Sequence, residues 1–270
     1  MSRYTMRSYQ LVQLAAGNEY YLWILMGDTY AQIIEKCFPD VTFKWQKVDK
    51  GAYQCHVKMD NETKNRLIQL LSLFKNHVLL VLNKHIKKHF SHELDECFAL
   101  DFNFLYNGMT DETGYSHFGQ LEHLAKELKD TKAMRQLAVS LSNLCMNHPN
   151  YLAADTICAI PRNPSETFHL PEILAEKVAK VTGKDNGIAY ITKKKDLPKA
   201  QELRVEEKIK NLKDALNIDR SVKGKLIILI DDLYQSGATM WSVAKMLRQS
   251  GARKVYGLTC VKSWRDTDNQ

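Results

Sequence analysis

The sequence predicts an α/β protein: a doubly wound, mainly parallel sheet over residues 151–270, preceded by an N-terminal α+β accessory domain over residues 1–150. Three observations predict it. Leu226 to Ile230 is an uninterrupted apolar, β-branched run, the pattern of a central parallel strand covered on both faces. From Tyr151 onward, strand-like and helix-like segments alternate, as they do in parallel-sheet domains. Before Tyr151 the pattern changes to paired extended segments around glycine-containing loops, followed by helical stretches.

Taken in order, Tyr9 to Leu14 and Tyr20 to Met26 flank Gly17-Asn18-Glu19 and read as a hairpin. Val41 to Val48 and Tyr53 to Met59 flank Asp49-Lys50-Gly51-Ala52 and read as a second one. Asp60-Asn61-Glu62-Thr63 is placed to cap a long helix from Lys64 to Phe90. An extended Phe98 to Phe104 follows, then helices over His117 to Lys129 and Thr131 to Asn147. In the second half, Thr156 to Ile160 is a strand that runs into the loop Pro161-Arg162-Asn163-Pro164-Ser165. Leu174, Val178 and Val181 set a helix over Leu170 to Thr182, which Gly183 ends as a C-cap. Gly187 to Thr192 reads as a strand, and Lys193 to Asp219 as loop and short helix. The apolar strand, a helix from Met240 to Ser250, the stop at Gly251 and a last strand, Lys254 to Lys262, complete the chain.

Composition sets outer bounds. With 270 residues, 44% of them apolar, the chain can bury a substantial core. No apolar run approaches the roughly 18 residues of a membrane-spanning helix, and the first ten residues do not resemble a secretory signal, so a cytoplasmic protein with no membrane partner is expected. The six cysteines form no Cys-x-x-Cys pair, which argues for reduced core thiols rather than a zinc ribbon or disulfide framework. A net charge of +7, concentrated in runs such as Lys193-Lys194-Lys195, suits a polyphosphate ligand and equally a nucleic-acid partner. His85, His89 and His92 have helical spacing, but Lys84, Lys87 and Lys88 interleave with them and oppose a cation.

The chemistry-bearing segment begins where the apolar strand stops. Asp231 and Asp232 fall at its carboxyl end, where open α/β sheets bind ligands. Gln235, Ser236, Gly237, Ala238 and Thr239 then supply successive backbone amides, two hydroxyls and a glycine at a helix start, a combination that binds phosphate. Two carboxylates would repel that phosphate, so they are expected to face neutral hydroxyls or a metal shell. A phosphorylated sugar satisfies both demands.

This stretch closely resembles the phosphoribosyl pyrophosphate (PRPP) signature of type I phosphoribosyltransferases: a hydrophobic strand, two acids, a few residues, then Thr or Ser, Gly, any residue and Thr. The resemblance implies that the α/β domain is of the type I phosphoribosyltransferase kind. It implies that Asp231 and Asp232 hold the ribose 2′- and 3′-hydroxyls while Gln235 to Thr239 cradle the 5′-phosphate. Ala159-Ile160-Pro161-Arg162, Leu174-Ala175-Glu176, Lys195, Gln201 and Lys208-x-x-Asn211 also resemble the ComF-like branch of that family. That resemblance makes residues 161 to 165 a pyrophosphate loop and part of 192 to 207 a catalytic loop. Gln235 stands where hypoxanthine-type transferases carry an acid, so their use of it at the purine does not transfer.

The expected function is Mg²⁺-dependent transfer of phosphoribose from PRPP to a nucleobase or amine with release of pyrophosphate. Mg²⁺ would be held largely by ligand oxygens and waters, which Asp231 and Asp232 position. Arg162 is expected at the pyrophosphate, and Lys194 and Lys195 are expected to close over it. The alternative is a non-catalytic PRPP or nucleotide sensor in a nucleic-acid process such as DNA uptake, transcription or phage defence. A homodimer is a further expectation. Trp23, Trp45, Phe104 and Trp264 are the aromatic candidates for covering a base.

Overall fold

The computed structural model describes residues 6, 8–14, 17–25, 28–48, 51–82, 86–107, 112–198 and 204–263. The chain divides into two compact units: Met1–Leu79 with Leu144–Leu152, and Leu80–Asn143 with Ala153–Gln270. Residues 80–143 therefore group with the C-terminal half, and no single cut at residue 150 separates the units. Among the described residues, no helix is long and apolar enough to cross a membrane.

In the first unit, β1 (Ser8–Gln13), β2 (Glu19–Leu25), β3 (Gln46–Lys47) and β4 (Ala52–Lys58) form an antiparallel sheet in the order β1-β2-β4-β3. Both expected hairpin regions are present, but the strand expected over Val41 to Val48 contracts to Gln46–Lys47. The stretch before it has no ladder, and its Phe43 and Trp45 rings stack with centroids 5.6 Å apart. Helix α1 (Asp28–Cys37) buries Ile33 and Ile34, and α2 (Asn61–Asn76) buries Leu67, Leu70, Leu71 and Phe74. Asp60 caps α2 by accepting from the Thr63 amide at 2.7 Å. The helix does not continue to Phe90 as its apolar content predicts. The His77 amide makes the last bond, to Leu73 O at 3.0 Å, and an extended backbone at His77 sends the chain into the short strand β5 (Val78–Leu79).

The second unit holds the parallel sheet. Its strands are β6 (Glu96–Phe102), β9 (Thr156–Ala159), β10 (Asp185–Asn186), β13 (Leu226–Tyr234) and β14 (Lys254–Lys262), in the order β10-β9-β13-β14-β6. All four pairings among them are parallel. Ile227 to Ile230 of β13 are fully buried, as its uninterrupted apolar run requires. The expected extended segment near Phe98 is β6, paired with β14 from Tyr256↔Glu96 to Lys262↔Phe102.

Two small antiparallel pairs fall between sheet strands in sequence: β7 (Phe104–Asn107) with β8 (Glu112–Tyr115), and β11 (Ile191–Lys193) with β12 (Leu216–Ile218). The strand expected over Gly187 to Thr192 is replaced by a 3₁₀ turn at Ile188–Tyr190 followed by β11. The helices are α3 (His117–Glu127), α4 (Thr131–Asn147), α5 (Pro149–Leu152), α6 (Leu170–Thr182), α7 (Val205–Ala215) and α8 (Ala238–Gln249). Gly183 ends α6 in the left-handed conformation, φ 69°. Helix α6 packs on β9 and β13, α8 on β13 and β14, and α3 on β14 and β6. All six cysteines are buried.

Candidate functional site

A cavity of about 490 Å³ opens at the carboxyl end of β13, within the second unit. Three local constructions shape it. The first is β13 itself, which delivers Asp231 and Asp232 at its end and passes through Tyr234 into the turn before α8. The second is the loop after β9, tied to β13 by the Ile160 amide donating to Ile230 O at 2.8 Å. The third is α3, whose Lys126 and Glu127 reach the cavity wall.

The turn between β13 and α8 depends on Gly237. Its φ of 87° lies in the left-handed region, and a Cβ there would overlap the Tyr234 ring and hydroxyl. That hydroxyl in turn accepts from Trp241 Nε1 at 3.2 Å. Gly237 is the N-cap of α8 and has no side chain to cap the helix. Ser236 is buried, and its hydroxyl accepts from the Ala238 amide at 3.3 Å. Gln235, Ser236, Gly237, Ala238 and Thr239 all line the cavity, together with both aspartates.

Each aspartate commits one oxygen to the backbone: Asp231 Oδ1 accepts from the Asp232 amide at 2.9 Å, and Asp232 Oδ1 from the Leu233 amide at 2.7 Å. Burial, and then the neighbouring Asp232 carboxylate, hold the Asp231 carboxyl well above the ordinary range. Lys126 Nζ lies 2.6 Å from Asp232 Oδ2 and 3.7 Å from Glu122 Oε1. Burial works against the Lys126 charge, but the carboxylates of Asp232, Glu122 and Asp231 outweigh it and raise its pKa. Burial lifts Glu122 from 4.5 to about 7, opposed by Lys126 and reinforced by Asp232.

The loop after β9 is organised by Asn163. Its side-chain oxygen accepts from Lys193 Nζ at 3.1 Å and from the Leu197 amide at 3.2 Å, while its Nδ2 donates to Leu197 O at 3.1 Å. Ser165 adds a bond from its amide to Asp196 Oδ1 at 3.1 Å. These contacts fasten the segment after β11 to the loop after β9. Burial lowers the pKa of Lys193 and of His169, both on the cavity wall. Lys208 and Asn211 of α7 complete that side.

Not every expected site residue converges. Arg162 lines a neighbouring concavity of about 480 Å³, where its Nε lies 3.3 Å from Glu172 Oε2 and its guanidinium donates to Glu166 O at 2.7 Å. Lys194 and Lys195 are not among the lining residues of either space, whereas their neighbour Lys193 lines both. Gln201 and Trp264 lie outside the described residues, as does His85. His89 and His92 do not share a helix: His89 closes a turn, with Nε2 3.7 Å from Glu206 Oε1. Sequence reasoning assigned no role to Lys126, Glu122 or His169. These residues sit far from the β13 segment in sequence, and only the fold brings them to it.

No family model matches the chain. Short segments are similar to curated proteins. One match is to a ribose-phosphate pyrophosphokinase of Nostoc, 46% identical over 46 residues, covering 17% of this chain and 14% of that protein. A second is to an amidophosphoribosyltransferase of Pyrococcus horikoshii, 36% identical over 67 residues, covering 25% of this chain and 14% of that one. The chain thus spans only about a seventh of the length of these relatives, 14% in each case. Among solved structures, an adenine phosphoribosyltransferase from Thermoanaerobacter pseudethanolicus aligns with a TM-score of 0.33 and 17% identity, over 51% of this chain and 83% of that one. The glutamine PRPP amidotransferase of B. subtilis, complexed with ADP and GMP, aligns with a TM-score of 0.37 and 13% identity, over 90% of this chain and 46% of that one.

Proposed function

We propose that the cavity at the end of β13 binds PRPP and that the protein transfers its phosphoribosyl group to a nucleobase or amine, releasing pyrophosphate. The observation that carries this reading is the continuous order of acid pair, left-handed Gly237 and helix N-terminus along one cavity wall. The short similarities to a ribose-phosphate pyrophosphokinase and an amidophosphoribosyltransferase support it.

In this reading the 5′-phosphate sits on the amides and hydroxyls of Gln235 to Thr239, where the start of α8 favours negative charge. Asp231 and Asp232 take the ribose hydroxyls, using the carboxylate oxygens that the backbone leaves free. Lys193, on the cavity wall, supplies a cation for the pyrophosphate, with Arg162, Lys194 and Lys195 outside that wall supplying further charge. Transfer breaks the bond between ribose C1 and the pyrophosphate oxygen, whose electron pair leaves with pyrophosphate. The acceptor nitrogen forms the new bond to C1 and loses its proton.

The hard carboxylate oxygens of Asp231 and Asp232 suit Mg²⁺, although Lys126 already occupies one of them. When bound, Mg²⁺ would offset the charge of the departing pyrophosphate, held largely by ligand oxygens and waters. A PRPP-binding protein without transfer is the second reading. It is favoured by Arg162, whose guanidinium is engaged with Glu172 and Glu166 rather than turned into the cavity.

Unfolding with and without PRPP and Mg²⁺ tests the binding. A ligand at 100 times its dissociation constant stabilises by about 2.7 kcal/mol, and Asp231→Asn with Asp232→Asn is expected to remove most of that gain. No stabilisation of the wild type at millimolar ligand would overturn both readings. Pyrophosphate release across a panel of bases and amines separates transfer from binding alone.

A further inference from the structure

We propose that Lys126 is the resident counter-cation of the acid pair, keeping free divalent metal off Asp231 and Asp232 so that metal enters only together with a phosphorylated ligand. This rests on the reading of the cavity as a PRPP site and adds to it a residue from outside the β13 segment.

The geometry of α3 carries the argument. Lys126 Nζ is 2.6 Å from Asp232 Oδ2, within charge-assisted hydrogen-bonding distance. With Oδ1 of the same carboxylate accepting from the Leu233 amide, both Asp232 oxygens are engaged before any ligand arrives. Asp231 also has one oxygen on the backbone. Among the described residues, Asp231, Asp232 and Glu122 do not gather three ligand atoms within 4.8 Å of one another. A hydrated divalent cation approaching the pair would have to displace an ammonium held between Asp232 and Glu122.

The ammonium is held there by the scaffold. Ser116 caps α3 by accepting from the Gly119 amide at 2.9 Å, and its hydroxyl donates to Phe102 O at the end of β6. A Cβ at Gly119 would overlap the backbone of Asn103, so the helix approaches the end of β6 as closely as a side-chain-free residue permits. Helix α3 also packs on β14, the neighbour of β13. Neutral sugar hydroxyls face no such charge barrier: they can donate to the remaining Asp231 oxygen and accept from the ammonium.

The test uses Mn²⁺ as a paramagnetic probe, with free ion measured by electron paramagnetic resonance, and ribose 5-phosphate binding measured by calorimetry in EDTA. Wild-type protein is expected to leave Mn²⁺ free in the absence of sugar phosphate and to bind ribose 5-phosphate without metal. Lys126→Met and Lys126→Gln, with circular dichroism confirming their fold, are expected to bind Mn²⁺ at least tenfold more tightly, a gain lost when Asp232→Asn is added. Equal Mn²⁺ binding by the wild type and both folded variants would overturn the proposal. Failure of ribose 5-phosphate to bind the wild type would instead count against the PRPP reading, while the Mn²⁺ comparison would still decide the role of Lys126.

Discussion

Glu122→Gln is the substitution whose effect on stability can be worked out most directly. The Glu122 carboxyl sits with only 12% of its side chain exposed and has its pKa raised from 4.5 to about 7. Between these values the folded protein keeps a proton that the unfolded chain releases, so stability falls as pH rises through the interval. Each pH unit is worth about 1.4 kcal/mol, which gives an upper limit of about 3 kcal/mol lost by the wild type on going from below pH 4.5 to above pH 7. Glutamine has a similar shape and remains neutral throughout, so the variant escapes this loss. Lys126 has its nearer partner in Asp232, at 2.6 Å, rather than in Glu122. Urea unfolding of both proteins from pH 4.5 to pH 8 reports on the group, because titrations of residues remote from Glu122 cancel in the difference. The variant is expected to gain on the wild type progressively, by about 2 to 3 kcal/mol at pH 8 relative to pH 4.5. A difference that stays flat across that range would refute the burial argument for Glu122.

Three further outcomes are expected. Gly237→Ala imposes a left-handed conformation on alanine, costing about 1–2 kcal/mol, and displaces Tyr234 from Trp241, about 1 kcal/mol more. Urea unfolding should show the sum, and calorimetry should show ribose 5-phosphate binding at least tenfold weaker. Lys129 follows α3 with φ 53°, so Lys129→Gly should relieve about 1 kcal/mol of backbone strain, partly offset by loss of its cation–π contact with Phe168, and a thermal melt reads the net gain. Asn163→Ala removes the links to Lys193 and Leu197, and hydrogen exchange should quicken selectively at residues 193–198.

The parts of the fold that could be read from the sequence are those whose determinants are contiguous. The helices at Leu170–Thr182 and Thr131–Asn147 and the strand Lys254–Lys262 fall where periodicity and the Gly183 and Gly251 stops put them. For α2 the sequence predicts too long a helix, because apolar residues continue beyond Asn76. What ends it is the extended backbone of His77, and no glycine or proline announces that change. The same distinction applies at the cavity. Acid pair, turn and helix start lie within one stretch of chain and show their grouping in one dimension. Lys126, Asn163, His169 and Lys208 come to that stretch through strand order and helix packing, and nothing local to them marks a destination. Only family resemblance, and no property of their own neighbourhood, marks Lys208 and Asn211.

The position of β6 bears on how this chain can be divided. It runs beside β14 through six register pairs, and β14 is buried from Val255 to its end. A fragment beginning at residue 151 would leave that whole row of amides and carbonyls without a partner on a strand that is apolar on both faces, a surface prone to edge-to-edge self-association. The C-terminal half is therefore not a portable cassette. Any recombinant or evolutionary exchange that keeps the acid pair and its phosphate turn has to carry Glu96–Phe102 along, or supply a substitute strand in its place.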